Sequence, residues 1–509
     1  MFSCVFSGGL HGLESYVVRV EADISAGMPM FELVGYLGSE VREARERVRT
    51  ALKNAGFLIP VKRVTVNLSP ANVRKQGTGF DLPVAVGILV AMGELSADAI
   101  KDTMIVGELL LSGRVGGICG ALPLMLAAKK AGLRRCIIPK ENEAEGAVVD
   151  GLEVICVESL IQLVAHLQGT SKIRPKQFAG EKLLSGIQNA GYDFSEVSGQ
   201  HFVKRGLEIA AAGLHNMIMI GSPGAGKTML AKCIPSILPP LSMEECLEVS
   251  AVYSVAGKLQ GMRALITERP FVSPHHSVTA TALSGGGIYP RPGSISLAHH
   301  GVLFLDELPE FSRSALEVLR QPLEERVVHV TRSKGSYTYP ADFMLIGAMN
   351  PCPCGAYPDL GKCTCTETAR KRYLSRLSKP LLDRMDICTQ VRQAKYRELV
   401  QKKDEECSAA VRGRVIQAQQ RQYERFFEES RCVRFNSGMG IKEIDRYCKL
   451  TAQGEKLLED AFKKFDLSTR AYHRILRVAR TIADLDNSGQ IREYHLAEAV
   501  HYKFNFEIQ

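Results

Sequence analysis

Residues 217–230 read MIMIGSPGAGKTML. An apolar run of strand length enters a glycine-rich GxxxxGKT turn, and Met229 onward can form a helix, which is the strand–loop–helix of a phosphate-binding α/β unit. Gly221, Gly224 and Gly226, with Ser222, Pro223 and Ala225 between them, let backbone N–H groups wrap phosphate oxygens. Lys227 can reach the β and γ oxygens, and the Thr228 hydroxyl can ligate Mg²⁺. A glycine turn in an ordinary α/β fold is the competing reading, and the residues downstream argue against it.

In GVLFLDELPEF, residues 301–311, a second apolar strand ends in Asp306 and Glu307. Asp306 is placed to hold Mg²⁺ and Glu307 to polarise an attacking water. A third apolar strand, FMLIGAMN at 343–350, ends in Asn350, whose amide can orient the water or the γ-phosphate. A helix-capping carboxylate and a turn asparagine are the plainer alternatives for Glu307 and Asn350.

At 509 residues, the chain is too long for one core. Its 45% hydrophobic and 23% charged residues are ordinary globular usage. Residues 1–167 alternate strand-like runs (Tyr16–Val20, Val61–Leu68, Cys136–Pro139) with helical ones (Val41–Ala55, Leu122–Ala131), predicting a mixed α and β domain. Residues 168–194 have the Gly, Pro and basic content of a linker. Residues 195–395 form the nucleotide-binding core, and 396–509 a helical lid, with helices expected over Lys402–Phe427, Ile441–Phe465, Thr469–Asp486 and Glu493–Tyr502.

No apolar run approaches the roughly 18 to 20 residues that span a bilayer, and the N-terminus has no basic segment followed by an apolar one. A cytoplasmic chain with no membrane partner is expected. The net charge of +9 is a weak pointer to a polyanionic partner.

The 14 cysteines suit reduced thiols, with a tight cluster as a metal candidate. PCPCGAYPDLGKCTC, residues 351–365, supplies one: Cys352, Cys354, Cys363 and Cys365 suit tetrahedral Zn²⁺. Four protein ligands leave no open position, so the expected role is structural; free thiols are the alternative. His275 and His276 in SPHHS are read as structural rather than metal-binding.

VVHVTRSKGSYTYPADF, residues 327–343, places β-formers on both sides of RSKG and predicts a hairpin with Arg332 and Lys334 at its tip. A second loop, SGGGIYPRPGSIS, offers Arg291 to nucleic acid or Tyr289 to a polypeptide.

The blocks at 193–232, 269–287, 291–311, 348–355, 379–387 and 467–485 together resemble the Mg-chelatase-like branch of AAA+ ATPases, and more closely the ComM/YifB-type family associated with natural competence. The resemblance covers nearly the whole chain. It implies an ATP- and Mg²⁺-dependent motor, a homo-oligomeric, hexameric ring with ATP between subunits, and helicase or branch-migration activity on single-stranded or branched DNA. Within KPLLDRMDI, Arg384 resembles the arginine finger acting on a neighbour's ATP, with Arg376 as a competitor. Arg470 in LSTRAYHRILR matches the sensor-2 position. In a related replicative-helicase-like clade the hairpin faces the ring channel, where Arg332 and Lys334 could track a phosphate backbone.

The N-terminal domain resembles the Lon-protease fold without its catalytic dyad. Gly79 in KQGTGFDLP falls at the nucleophile position and Leu122 in GALPL at the lysine position, leaving Thr78 as a hydroxyl with no visible base. A chelatase-type motor acting on a partner protein is the second reading, and an unfoldase or protease the third.

Overall fold

The computed structural model describes residues 1–176, 191–259, 265–287, 290–332, 335–393, 405–427, 433–465 and 467–504. Lys334, Tyr289 and most of the expected linker lie outside them.

Five parallel strands form the central sheet, in the order Phe271–Val272, Val302–Leu305, Met344–Met349, Met217–Gly221, Ile387–Val391. The three central strands read as unbroken apolar runs because both faces of the sheet are covered there. Met217 and Met219 point into a core shared with Val411, Ile475, Ile482 and Tyr502 of the C-terminal helices. Ile218 and Ile220 point the other way, against Leu303, Leu305 and Leu345.

The C-terminal helices are Ser408–Phe426, Ile441–Tyr447, Ala452–Lys464, Thr469–Leu485 and Glu493–Phe504. The single helix expected over Ile441–Phe465 is therefore two. The chain leaves helical geometry at Cys448, and the Thr451 side chain starts the second helix by accepting from Gly454 N. The helix expected from Lys402 begins at Ser408, while 402–404 lie outside the described residues.

The N-terminal part carries a mixed seven-stranded sheet, Met30–Val34, Arg63–Ser69, Glu14–Ser25, Phe2–His11, Thr103–Ile105, Arg135–Pro139, Glu153–Val157. The helices Ser39–Asn54 and Ala121–Lys130 fall where the periodicity predicts them. Asp81–Met92 is a helix that the periodicity does not reveal. DLPVAVGILVAM is buried from Asp81 to Ala91, and a helix apolar on all faces has no 3.6-residue stripe to detect.

An insertion helix, Met243–Val255, joins the two parts. It opens with a capping box between Ser242 and Glu245, and its Cys246 and Val249 share a core with Leu122, Met125 and Val154. At its end Gly120 N donates to Ser254 O at 3.1 Å and Ser254 Oγ to Glu145 at 2.5 Å.

The expected hairpin is present as Val327–Arg332 and Gly335–Pro340, pairing from Val327↔Pro340 to Arg332↔Gly335. Val328, Val330, Tyr337 and Tyr339 face the core, leaving Arg332 exposed at the tip. His11 of the N-terminal part stacks on Tyr337 at 4.4 Å and donates to Ser336 O at 3.0 Å. Among the described residues no helix is long and apolar enough to cross a membrane.

Candidate nucleotide site

Every strand of the central sheet runs the same way, so the residues following the strands gather along one edge. The loop from Gly221 to Met229 closes the strand Met217–Gly221, Asp306 and Glu307 follow Val302–Leu305, and Asn350 follows Met344–Met349. Most of these residues line a single cavity of about 380 Å³. Gly224 and Gly226 adopt φ of +75° and +88°, a backbone open to glycine at little cost, and turn the loop into the helix Lys227–Lys232. That helix starts two residues earlier than the expected Met229.

The Lys227 ammonium donates to Gly221 O at 2.6 Å, Ser222 O at 3.0 Å and Asn350 Oδ1 at 3.1 Å. Burial holds its pKa below the usual lysine value, against the opposing pull of Asp306 and Glu307. A buried cation with three neutral acceptors is suited to an incoming anion. Thr228 Oγ1 donates to Asp306 Oδ2 at 2.7 Å. This places a hydroxyl and a carboxylate side by side as hard oxygen donors, a set that fits Mg²⁺.

Glu307 sits at φ 51°, and its N–H donates to Asp306 Oδ1 at 2.9 Å. Its Oε2 lies 3.1 Å from Nδ1 of His276. His276, expected from the sequence to be structural, thus contacts the acidic pair, a contact that no local pattern announces. Phe271–Val272 pairs in parallel with Val302–Leu303, so the loop that follows emerges beside Glu307. A two-residue strand is too short to announce itself by pattern.

Arg384 and Arg470 are brought together in a different place. With Arg326, Arg474 and Arg477 they line a cavity of about 340 Å³ that includes no residue of the 221–229 loop. Arg384 donates to Pro380 O at 2.6 Å and pairs with Glu324. Its carbonyl accepts from Asn216 Nδ2 at 3.2 Å, while Asn216 O accepts from Asp386 N at 2.9 Å. Asn216 immediately precedes the strand Met217–Gly221, so Arg384 is anchored at the end of that strand opposite the phosphate loop. At about 3.3 Å per residue the strand separates them by about 13 Å.

Asp386 ties this corner to the C-terminal helices, with His215 Nδ1 at 3.2 Å and Arg474 Nε at 3.6 Å. Burial would raise its carboxyl pKa, but those partners hold it below the usual range. Arg376, the competitor, is half exposed, pairs with Glu310 at 2.8 Å and does not line this cavity.

The four cysteines converge, with all ligand atoms within 4.8 Å of one another. Arg332 is exposed, and a Cβ built on Gly286 would meet its guanidinium, which places the hairpin tip beside the 285–293 loop. Arg291 in that loop lines a cavity of about 370 Å³ against the N-terminal part, with Glu40, Thr78 and Glu108. Thr78 Oγ1 donates to Glu108 at 2.9 Å, and Gly79 stands beside it.

A five-stranded parallel sheet that collects a GKT loop, an Asp–Glu pair and an asparagine along one edge, with a helical unit packed behind, defines a Mg-chelatase-like AAA+ protein with a candidate nucleotide site. Residues 193–399 match the family described as magnesium chelatase, subunit ChlI; residues 20–142 match subunit ChlI of Mg-chelatase; residues 405–503 match its C-terminal region. The chain is 42% identical over 504 residues to the uncharacterized protein YifB of Escherichia coli, covering 98% of this chain and 97% of the relative. It is also 42% identical over 501 residues to competence protein ComM of Haemophilus influenzae, covering 98% and 97%. The chain belongs to the ComM/YifB-type Mg-chelatase-like family. A weaker similarity joins it to Lon protease 2 of Bacillus subtilis, 28% over 134 residues, 26% of this chain and 24% of the relative.

Proposed function

We propose that this chain is the ATP-hydrolysing subunit of a ring-shaped motor, with six copies by family resemblance, that moves along single-stranded or branched DNA. The observation that carries the ring is the separation of Lys227, Asp306 and Glu307 from Arg384 and Arg470 at opposite ends of one strand. An arginine side chain does not bridge about 13 Å, so a nucleotide held by one copy would meet the arginine pair of the next. Lys227 and the loop N–H groups bind the phosphates, Thr228 and Asp306 hold Mg²⁺, Glu307 takes the proton of the attacking water, and Asn350 orients it. A Mg²⁺ held by Thr228 and Asp306 would supply positive charge against the phosphate oxygens. The cysteine cluster holds a structural Zn²⁺, as four thiolates at tetrahedral spacing support.

DNA as substrate is supported by the exposed Arg332 beside the 285–293 loop, by the net charge of +9 and by the competence name of a relative matched over nearly its whole length. The N-terminal part has Gly79 and Leu122 where a Lon-type protease needs its nucleophile and lysine, which favours an assembly or DNA-binding role over proteolysis. A second reading, remodelling of a partner protein, draws on the magnesium chelatase description. Steady-state ATPase activity with and without single-stranded and four-way-junction DNA, at low and moderate salt, separates them. Salt-sensitive stimulation is expected, and no stimulation by any DNA would move the assignment to a protein substrate.

A further inference from the structure

We propose that the cluster Cys352, Cys354, Cys363 and Cys365 is a metal clamp whose occupancy sets the affinity of the phosphate loop for nucleotide. The proposal rests on the zinc and nucleotide readings above. Zn–S bonds of about 2.3 Å in a tetrahedron place sulfurs about 3.8 Å apart. The Sγ separations are 3.4 Å for Cys352–Cys354, 3.8 Å for Cys352–Cys363 and 3.6 Å for Cys354–Cys363. Cys365 Sγ accepts from Cys354 N at 3.4 Å, the kind of amide contact that orients a metal-bound thiolate. Asp359 O, accepting from Cys363 N at 2.8 Å, turns the chain so that the second CxC returns to the first.

This loop touches the nucleotide site at two points. Cys352 lies two residues beyond Asn350, whose Oδ1 holds the Lys227 ammonium at 3.1 Å. Gly355, one residue beyond Cys354, packs on Pro223 so closely that a Cβ built there would overlap the Pro223 ring, and its φ of +78° also favours glycine. Gly355 N donates to Cys352 O at 3.0 Å, making 352–355 a tight turn. A metal that fixes both CxC pairs therefore fixes the segment that presses on Pro223 and aims Asn350. Released thiols would leave that segment free to shift, and the phosphate loop would lose part of its preorganisation.

The test uses the full-length protein purified without chelator. Elemental analysis is expected to return about one zinc per chain, and exchanged cobalt to give the strong visible absorption of a tetrahedral thiolate centre. A fluorescent ATP analogue is then titrated against zinc-loaded and zinc-stripped protein. Zinc affinity is measured by competition with a chelator, with and without ADP. Coupling requires nucleotide affinity to fall about tenfold on zinc removal, and ADP to tighten zinc by a matching factor, since coupling is reciprocal. Gly355→Ala, which keeps all four thiolates, is expected to weaken nucleotide binding with zinc content unchanged.

Absence of zinc and of the cobalt spectrum overturns the clamp and the zinc reading together. Bound zinc with nucleotide affinity unmoved by its removal, and zinc affinity unmoved by ADP, leaves the metal site standing and overturns the coupling. Zinc-loaded protein that binds no nucleotide overturns the coupling together with the ATPase reading. Where stripping unfolds the chain, the competition measurement on loaded protein decides.

Discussion

His276 Nδ1 stands 3.1 Å from Glu307 Oε2, so the carboxylate proposed to polarise water is held by a side chain from the neighbouring strand's loop. Glu307→Gln is expected to keep nucleotide binding and to lower turnover by about 10² to 10⁴, the usual contribution of a positioned base. His276→Ala frees the carboxylate and is expected to raise basal turnover severalfold, with His276→Gln, which keeps a donor, staying near the parent rate. Steady-state ATPase and nucleotide titration of the three variants check this; unchanged turnover in His276→Ala would make the contact incidental.

Arg384 and the phosphate loop lie at opposite ends of Met217–Gly221, so in the proposed ring their cooperation would cross between copies. Arg384→Ala is expected to bind ATP normally and to lose about 10³ to 10⁵ in turnover, while Arg376→Ala, which breaks the contacts with Glu310 and the Pro309 carbonyl, retains most of it. Lys227→Ala should be inactive through lost phosphate binding. Mixing Arg384→Ala with Lys227→Ala subunits is expected to restore part of the activity, because mixed interfaces then contain one intact pair of half-sites. No recovery at any mixing ratio would argue against shared sites.

If Arg332 and Lys334 track a phosphate backbone, removing both is expected to flatten the salt dependence of DNA binding by about one unit in the log–log slope per lost contact. Binding of a labelled single strand across a salt series measures it. A double variant with the parent slope and the parent DNA-stimulated ATPase would remove the hairpin from the DNA path.

Glu248 offers a pH prediction away from the nucleotide. Hydrogen bonds from His299, at 3.4 Å, and His300, at 2.7 Å, hold its carboxyl well below the usual range, while burial holds His299 below the usual histidine value. For both groups the unfolded chain binds protons more readily, so the stability they contribute is present near neutral pH. It is lost as pH falls, first through the ordinary histidine range and then through the carboxylate range. Glu248 is more than half exposed, so screening keeps its share to about 1 kcal/mol or less. Denaturant unfolding at about pH 7 and about pH 4 should show a smaller acid loss in Glu248→Gln than in the parent.

Much of the candidate nucleotide site was legible along the chain, because a phosphate loop is a local object. Gly221–Thr228 needs a strand before it, glycines within it and a helix after it, all of which lie within 14 consecutive residues. Asp306, Glu307 and Asn350 were legible for the same reason, each closing an apolar run long enough to be recognised. The hairpin declared itself through alternation, and the cysteines through spacing. His276 was hidden because its strand is two residues long, and Asp81–Met92 because burial on every side erases periodicity.

By itself, then, the sequence determined the chemistry available at each strand end: which residues can bind phosphate, hold a divalent ion or accept a proton. Only the tertiary structure decided which of those ends meet. Parallel packing gathered the phosphate loop, the acidic pair and Asn350 along one edge and sent Arg384 and Arg470 to the other. It also set Gly355 of the cysteine loop against Pro223. Such contacts join residues far apart in the chain, and they follow from sheet order and the burial of both sheet faces, which no local spacing encodes.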